Sequence, residues 1–284
     1  MRKSEMLLTG KVSIITGGSM GIGKAIAEAF LGEGCQCVLA ARGEQALAET
    51  VEKLAAIGPE VRAFPTDVAN ERDVQSLVDF TIEEFSAVDI LVNCAGIYGP
   101  IGPSADVDAG KWWETLEINL RGTFLCNQLV LRAMIQQGRR GKVINLAGGG
   151  AASPRPRFSA YAASKTAVVR LTETLAEEAM QYGIDINVIA PGAVNTRLLD
   201  QVMEAGEAAG KEHLEKSIRQ KQEGGVSPEV AAELAVFLAS SQSDGLTGKF
   251  ISAVWDDWRS LPGQITEVMG SDVYTLRRVT PEQS

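Results

Sequence analysis

Tyr161 and Lys165 stand four residues apart in the segment Tyr161-Ala162-Ala163-Ser164-Lys165. If that segment is helical, both side chains project from one face a turn apart. An ammonium beside a phenol of ordinary pKa about 10 favours the phenolate, which makes the tyrosine a usable acid or base near neutral pH. Taken alone the pattern is weak, because many helices carry it by chance. A second motif near the N-terminus gives it weight.

That motif runs Thr16, Gly17, Gly18, Ser19, Met20, Gly21, Ile22, Gly23. Before it, residues 11–16 are apolar and β-branched and read as a buried parallel strand. After it, residues 23–34 read as a helix, with Ile22, Ile26, Ala27, Phe30 and Leu31 on one face. Strand, glycine turn and helix aim backbone N–H groups and a positive helix end at a pyrophosphate. Gly17 permits the tight turn, Gly21 the close approach of phosphate, and Gly23 the packing of helix on sheet. A glycine-rich turn without a ligand is the alternative, and the strand–turn–helix context weighs against it.

The elements that must position these groups are legible in outline. Strand candidates cover 11–16, 36–41, 61–65, 89–93, 142–147, 185–190 and 249–253, and helical patterns fill about 43–57, 70–86, 108–137, 158–182 and 228–240. This alternation predicts an α/β, Rossmann-type, doubly wound, seven-stranded parallel sheet flanked by helices on both faces. No linker or repeat divides the 284 residues, so one domain is expected, with a core at about 8–253 and a C-terminal extension at 254–284.

Composition narrows the function classes. With 45% hydrophobic and 22% charged residues the chain is ordinary for a globular protein, and a net charge of −9 argues against a nucleic-acid partner. No apolar run has the length of a membrane span and residues 1–8 lack a full signal-peptide core, so a cytoplasmic location is expected. Cys35, Cys37, Cys94 and Cys126 show no metal spacing and read as buried thiols; no metal is expected. His213, the sole histidine, falls in a charged helical stretch, against a histidine-based triad.

Six motifs in order make the chain resemble the short-chain dehydrogenase/reductase family, of the compact single-domain type, over about residues 8–253. They are the Thr16–Gly23 loop, Asp67 with Val68, Asn93 to Gly96, Asn119, the Tyr161/Lys165 pair, and Pro191 to Thr196. The resemblance implies an NAD(P)-dependent enzyme that interconverts an alcohol and a carbonyl by hydride transfer. It places Gly17, Ser19, Met20, Gly21, Ile22 and Gly23 at the pyrophosphate, Asp67 at the adenine, and Val68 packed against it. Asn93, Ala95 and Gly96 would line the cofactor under the nicotinamide ribose, with Pro191, Gly192 and Val194 alongside and Thr196 on the carboxamide. Tyr161 would exchange a proton with the substrate oxygen. Lys165 would bond the ribose hydroxyls and lower the tyrosine pKa, and Asn119 would hold a water in the proton relay. Relatives pair through helices matching 108–137 and 158–182, which implies a homodimer or homotetramer. Leu116, Leu120, Phe124, Val168, Leu171 and Leu175 would be core or interface.

One departure stands out. The family usually has a serine thirteen residues before the tyrosine, where this chain has Gly148. A backbone N–H of the 148–150 turn or the substrate itself could replace it. Ser153 or Ser159 could reach in, although Ser159 reads as a helix N-cap. Alternatively the chain binds cofactor without turnover, as a sensor or assembly protein. Losing one oriented hydrogen bond costs about 10²–10³-fold in rate, and Asn119, Tyr161 and Lys165 remain, which favours an active enzyme.

Gly148 and Gly149 also open room for a bulky small-molecule substrate. Arg155 and Arg157, stiffened by Pro154 and Pro156, are expected to face an anionic one such as a sugar derivative; surface salt bridges are the alternative. At the end of the second strand Ala41 leaves room and Arg42 offers charge for a 2′-phosphate, where an acidic residue would signal NAD. NADP(H) is therefore expected over NAD(H), with a solvent-facing Arg42 as the alternative. Residues 197–222 resemble the segment that closes over substrate in this family. The extension, with Trp255 and Trp258, is expected near the substrate mouth, or else packed into the core.

Overall fold

The computed structural model describes residues 6–58 and 60–279; residues 1–5, position 59 and the last five residues of the extension lie outside the described residues. Seven strands, β1 (Val12–Thr16), β2 (Gln36–Ala41), β3 (Val61–Pro65), β4 (Ile90–Asn93), β5 (Gly141–Leu146), β6 (Ile184–Ala190) and β7 (Phe250–Ser252), form one sheet. The order is β3-β2-β1-β4-β5-β6-β7, with every pair parallel. The helices are α1 (Gly21–Gly32), α2 (Glu44–Leu54), α3 (Glu71–Phe85), α4 (Ala109–Leu116), α5 (Gly122–Gln137), α6 (Ser159–Ala179), α7 (Arg197–Ala205), α8 (Lys211–Glu223), α9 (Pro228–Ala239) and α10 (Ile265–Met269).

Parallel strands need helical crossovers, which cover both faces and leave the strands apolar on both sides. Neighbouring residues therefore divide between two cores. Ile15, Leu39, Val92 and Ile144 pack with α1 and α9 on one face, and Ile14, Val38, Leu91 and Val143 with α3 and α5 on the other. The strand order reverses between β1 and β4, so a crevice opens at the carboxyl ends of those strands. No helix among the described residues is long and apolar enough to cross a membrane.

Two local expectations are corrected. The helix expected over 108–137 is interrupted by a π turn at Glu117–Arg121, between α4 and α5. Ser159 is the first residue of α6 rather than its cap: Phe158 holds the cap position, and Ser159 Oγ accepts the Trp112 indole N–H at 3.1 Å.

The C-terminal extension straps the free edge of β7. Phe250 N donates to Tyr274 O at 2.7 Å, and Lys249 Nζ donates to the carbonyls of Ser271 and Val273 at 2.9 and 3.0 Å. Glu173 on α6 accepts from Leu276 N at 2.8 Å and pairs with Arg170 and Arg277. The tryptophans part company: Trp258 is buried and stacks on Phe237, whereas Trp255 is 85% exposed.

Candidate active site

The crevice is built by loops that glycine alone allows. Thr16 Oγ1 accepts from the N–H groups of Cys94 and Ala95 at 3.1 and 3.2 Å, tying the loop after β1 to the loop after β4. A Cβ at Gly17 would stand 2.9 Å from Ala95 N, and one at Gly23 would stand 2.3 Å from Gly17 O. Gly17 also has φ +66°, in the left-handed region.

Helix α1 begins on this turn without a side-chain cap, since Met20 offers none, and its first turn carries no acidic residue. Its leading N–H groups and positive end are thus left to a ligand, a fit to phosphate oxygens. Ser19 O takes the Thr50 hydroxyl at 2.9 Å, which fixes the loop from behind. Arg42, at the end of β2, is exposed and has no partner among the described residues. Asp67 Oδ1 accepts from Ala69 N at 3.0 Å and so caps its own turn, while Val68 is buried against Gly122.

Tyr161 and Lys165 face this crevice from α6 and are buried. Lys165 Nζ donates to Leu146 O at 2.8 Å, which anchors the ammonium to the end of β5. Asn119 sits in the π turn, a distortion common at functional sites. Its amide is fully engaged: Oδ1 accepts from Ile97 N at 2.9 Å, and Nδ2 donates to Ile97 O at 2.8 Å and Ser164 Oγ at 3.0 Å. The side chain thus clamps the loop after β4 onto α6 instead of opening into the cavity. Asn119 Oδ1 and Lys165 Nζ converge over Gly96, where a Cβ would stand 3.1 and 3.5 Å from them.

Asn93 lies behind this wall. Its Nδ2 donates to Asn145 Oδ1 at 2.8 Å, Asn127 Nδ2 donates to the same oxygen at 3.2 Å, and Asn145 Nδ2 donates to Thr172 Oγ1 at 2.8 Å. This buried amide network locks β4, β5, α5 and α6 together beneath the site.

Burial dominates the electrostatics. It raises the Tyr161 hydroxyl well above the usual phenol value; Tyr98 adds to the rise, and Arg155 is the cation that opposes it. Burial also pushes Lys165 down to about 8 and Cys94 up to about 11. Among the causes of the Tyr161 shift the opposing cation is Arg155, and Lys165, expected to lower the tyrosine, is not one of them. The Lys165 ammonium is turned to Leu146 O, 6.0 Å from the Tyr161 ring centroid.

A cavity of about 770 Å³ continues from the cradle past Tyr161. Ile22, Gly96, Pro191, Gly192, Val194 and Thr196 are among its lining residues, together with Gly148, Gly149, Ser153 and Arg155. A Cβ at Gly148 would stand 2.1 Å from Tyr161 Oη, so the phenol occupies the space a side chain there would need. Arg155 lies among aromatic rings and donates to Tyr98 Oη at 3.2 Å. Arg157 does not reach the cavity: it is exposed, and its Nη1 is held by Ala208 O at 3.0 Å, beside the turn before α8.

Several lining residues were not anticipated. Tyr98 packs edge-on against Tyr161 at 4.6 Å. His213 accepts from Arg155 at 2.9 Å through Nε2, since a guanidinium only donates, and burial lowers its pKa. The signal was the helical spacing of His213, Lys216, Ser217 and Gln220, one face of α8 turned to the cavity. From the extension, Trp255, Asp256 and Tyr274–Leu276 complete the mouth.

Comparison with known proteins places this geometry in context. The family described as short chain dehydrogenase matches residues 11–207. A 3beta-hydroxysteroid dehydrogenase 2 of Eggerthella lenta is 33% identical over 249 residues, covering 87% of this chain and 94% of that protein. An NAD+-bound xylitol dehydrogenase superposes with a TM-score of 0.80 at 28% identity, over 88% of this chain and 98% of that one. An actinorhodin polyketide ketoreductase with NADPH does so with a TM-score of 0.79 at 28% identity, over 87% and 97%.

Proposed function

The chain belongs to the short chain dehydrogenase family and is an NAD(P)-dependent oxidoreductase; from that premise we propose that it interconverts an alcohol and a carbonyl on a polar, anionic small molecule, with NADP(H) as its cofactor. The observation that carries the reading is one continuous crevice, with the uncapped start of α1 at one end and buried Tyr161 and Lys165 in its wall.

Gly17, Ser19, Met20, Gly21, Ile22 and Gly23 would hold the pyrophosphate. Asp67 and Val68 would hold the adenine, Ala95 and Gly96 the nicotinamide ribose, and Pro191, Gly192, Val194 and Thr196 the nicotinamide end. The bound cofactor supplies or accepts the hydride. Tyr161 gives the proton on Oη to the substrate oxygen in reduction and takes it back in oxidation. Lys165 would bond the ribose from its seat at Leu146 O. Asn119 and Asn93 act by position, one clamping the loop after β4 and the other bracing β4 against β5.

Relatives include an NAD+ complex and an NADPH complex, so the choice of NADP(H) rests on exposed, unpartnered Arg42. The anionic substrate rests on Arg155, which meets no carboxylate among the described residues. Association through α4, α5 and α6 is supported by Trp113 and Phe124, 63% and 38% exposed. The test follows nicotinamide absorbance with NADP(H), then NAD(H), over sugar acids, sugar phosphates, keto acids and neutral ketones. Turnover should vanish in Tyr161→Phe while cofactor still binds. Full activity in that variant overturns the assigned chemistry.

A further inference from the structure

We infer that Arg155 is a second donor to the reacting oxygen, gripping with Tyr161 the carbonyl that is reduced, and is therefore a catalytic residue rather than only an anchor for a remote anion. The inference rests on the oxidoreductase reading above. Its first ground is the seating of two donors. Tyr161 Oη lies 2.1 Å from where a Cβ at Gly148 would stand, and Arg155 Nη1 lies 2.4 Å from where one at Gly149 would stand. Both glycines and both donors line the same cavity, and the guanidinium carbon lies 6.0 Å from the Tyr161 ring centroid. Any side chain at either position would displace one of the donors.

The second ground is what surrounds the guanidinium. The rings of Phe158, Tyr98 and Tyr161 lie 4.7, 5.2 and 6.0 Å from its carbon. Its terminal nitrogens donate only to neutral acceptors: Tyr98 Oη, His213 Nε2 and Gly149 O. The contact to Gly149 O is 3.4 Å long, which leaves Nη1 weakly committed. Aromatic faces offset part of the cost of holding an unpaired cation away from water, and an oxyanion would offset more. The other cations lining the cavity are committed, Lys165 to Leu146 O and Lys216 to Glu212.

A carbonyl oxygen has two lone pairs, and Tyr161 serves one. In the reductive direction a bound reduced nicotinamide would supply hydride to the carbon, and the C=O π pair would move onto oxygen. That oxygen takes the proton from Tyr161 Oη. Arg155 keeps its protons throughout and stabilises the growing negative charge. Both hydrogens of Nη2 are held by Tyr98 Oη and His213 Nε2, so Nη1 is the donor offered to the reacting oxygen. A second oxygen next to the reacting carbon, as in 2-oxo acids, their esters and 2-hydroxy ketones, would meet the same cation.

The experiment compares NADPH-dependent reduction of ethyl pyruvate, which is neutral, with that of pyruvate, its anion. Wild type, Arg155→Ala, Arg155→Lys and Tyr161→Phe are assayed, with NADPH binding by fluorescence and thermal melts as controls of fold. Arg155→Ala should lower kcat for the neutral ester about 10²–10³-fold with little change in KM. Added guanidinium chloride should restore part of that loss, which a purely structural role would not allow. Arg155→Lys should recover less, lacking the fork. If Arg155→Ala keeps kcat on the ester and only raises KM for pyruvate, the arginine merely anchors an anion and the inference is overturned. If wild type reduces neither compound faster than Tyr161→Phe does, the substrate class drawn from Arg155 is overturned, while turnover on another member of the sugar-acid, sugar-phosphate and ketone panel that Tyr161→Phe abolishes would leave the oxidoreductase reading standing.

Discussion

Filling position 148 should slow the enzyme, although a serine there would match the usual family pattern. An ordinary contact from Cβ to a neighbouring atom begins near 3.4 Å, and a Cβ at Gly148 would stand 2.1 Å from Tyr161 Oη. The phenol must therefore retreat by about 1 Å or more. It has little freedom to do so, because Tyr161 is buried and the Tyr98 ring packs edge-on against it at 4.6 Å. A misplacement of about 1 Å costs on the order of 10²-fold in rate, or about 2.7 kcal/mol of barrier. Overpacking a fitted core costs a further 1–3 kcal/mol or so of stability. Gly148→Ala is the clean perturbation, and Gly148→Ser adds only a hydroxyl to it. The assays are kcat on the preferred carbonyl, NADPH titration, and urea unfolding. Both variants should lose about 10²-fold in kcat and bind NADPH normally, with serine no better than alanine if Arg155 already supplies the second donor. Wild-type kcat and stability in Gly148→Ala would refute the reasoning, because Tyr161 would then not be seated where a side chain must go.

The amide network beneath the site predicts that Asn145→Ala strands the Asn93 Nδ2 donor in the core, at about 2–4 kcal/mol of stability by urea unfolding; a loss under about 0.5 kcal/mol would mean the network is dispensable. Lys165 gives a pH signature. Burial holds it at about 8 against 10.5 when unperturbed, so between those values the unfolded chain carries the proton and the folded chain does not. Stability of the unliganded wild type should rise with pH across that window, relative to Lys165→Met, by on the order of 2–3 kcal/mol, and stay flat below it. Parallel unfolding curves for the two proteins would contradict the assignment. Arg42→Ala should weaken NADPH binding roughly 5–10-fold and leave NADH unchanged, the modest size following from its exposure. Equal losses for both cofactors would remove the ground for NADP(H).

The sheet was legible because a strand buried on both faces is largely apolar, as β1, β2 and β4 are, while β5 and β6 keep the pattern around Lys142, Asn145, Asp185 and Asn187. The cradle was legible because strand, glycine turn and helix follow one another directly along the chain, although of its glycines only Gly23 answers to a contact as local as Gly17 O, while Gly17 and Gly21 face Ala95 and Thr196. The cavity lining around Arg155 was not legible. Tyr98, Arg155, His213 and Tyr274 come from four separate segments, and only tertiary packing brings them together. Arg155 and Arg157 looked equivalent in the sequence, two residues apart in a proline-stiffened loop. A left-handed backbone at Arg157, φ +71°, accompanies a guanidinium held at Ala208 O, and one arginine is lost to the cavity. The π turn at Asn119 was also hidden, because apolar periodicity over 108–137 does not register one extra residue in a turn.

At Tyr161 the effect of burial exceeds that of the nearby charges. A motif of phenol and ammonium suggested a phenolate, yet Lys165 spends its ammonium on Leu146 O and burial raises the phenol instead. A phenol raised in this way fits the role proposed for Tyr161 as proton donor to the substrate oxygen. Oxidation needs that proton removed first, and the step demands added positive charge beside the ring. Arg155 is the cation that acts in that sense, and the oxidised nicotinamide brings another when bound. Two glycines at 148 and 149 allow phenol and guanidinium to line the same cavity. On the proposed reading, the absent side chain at 148 makes room for a different pair of donors, Tyr161 and Arg155.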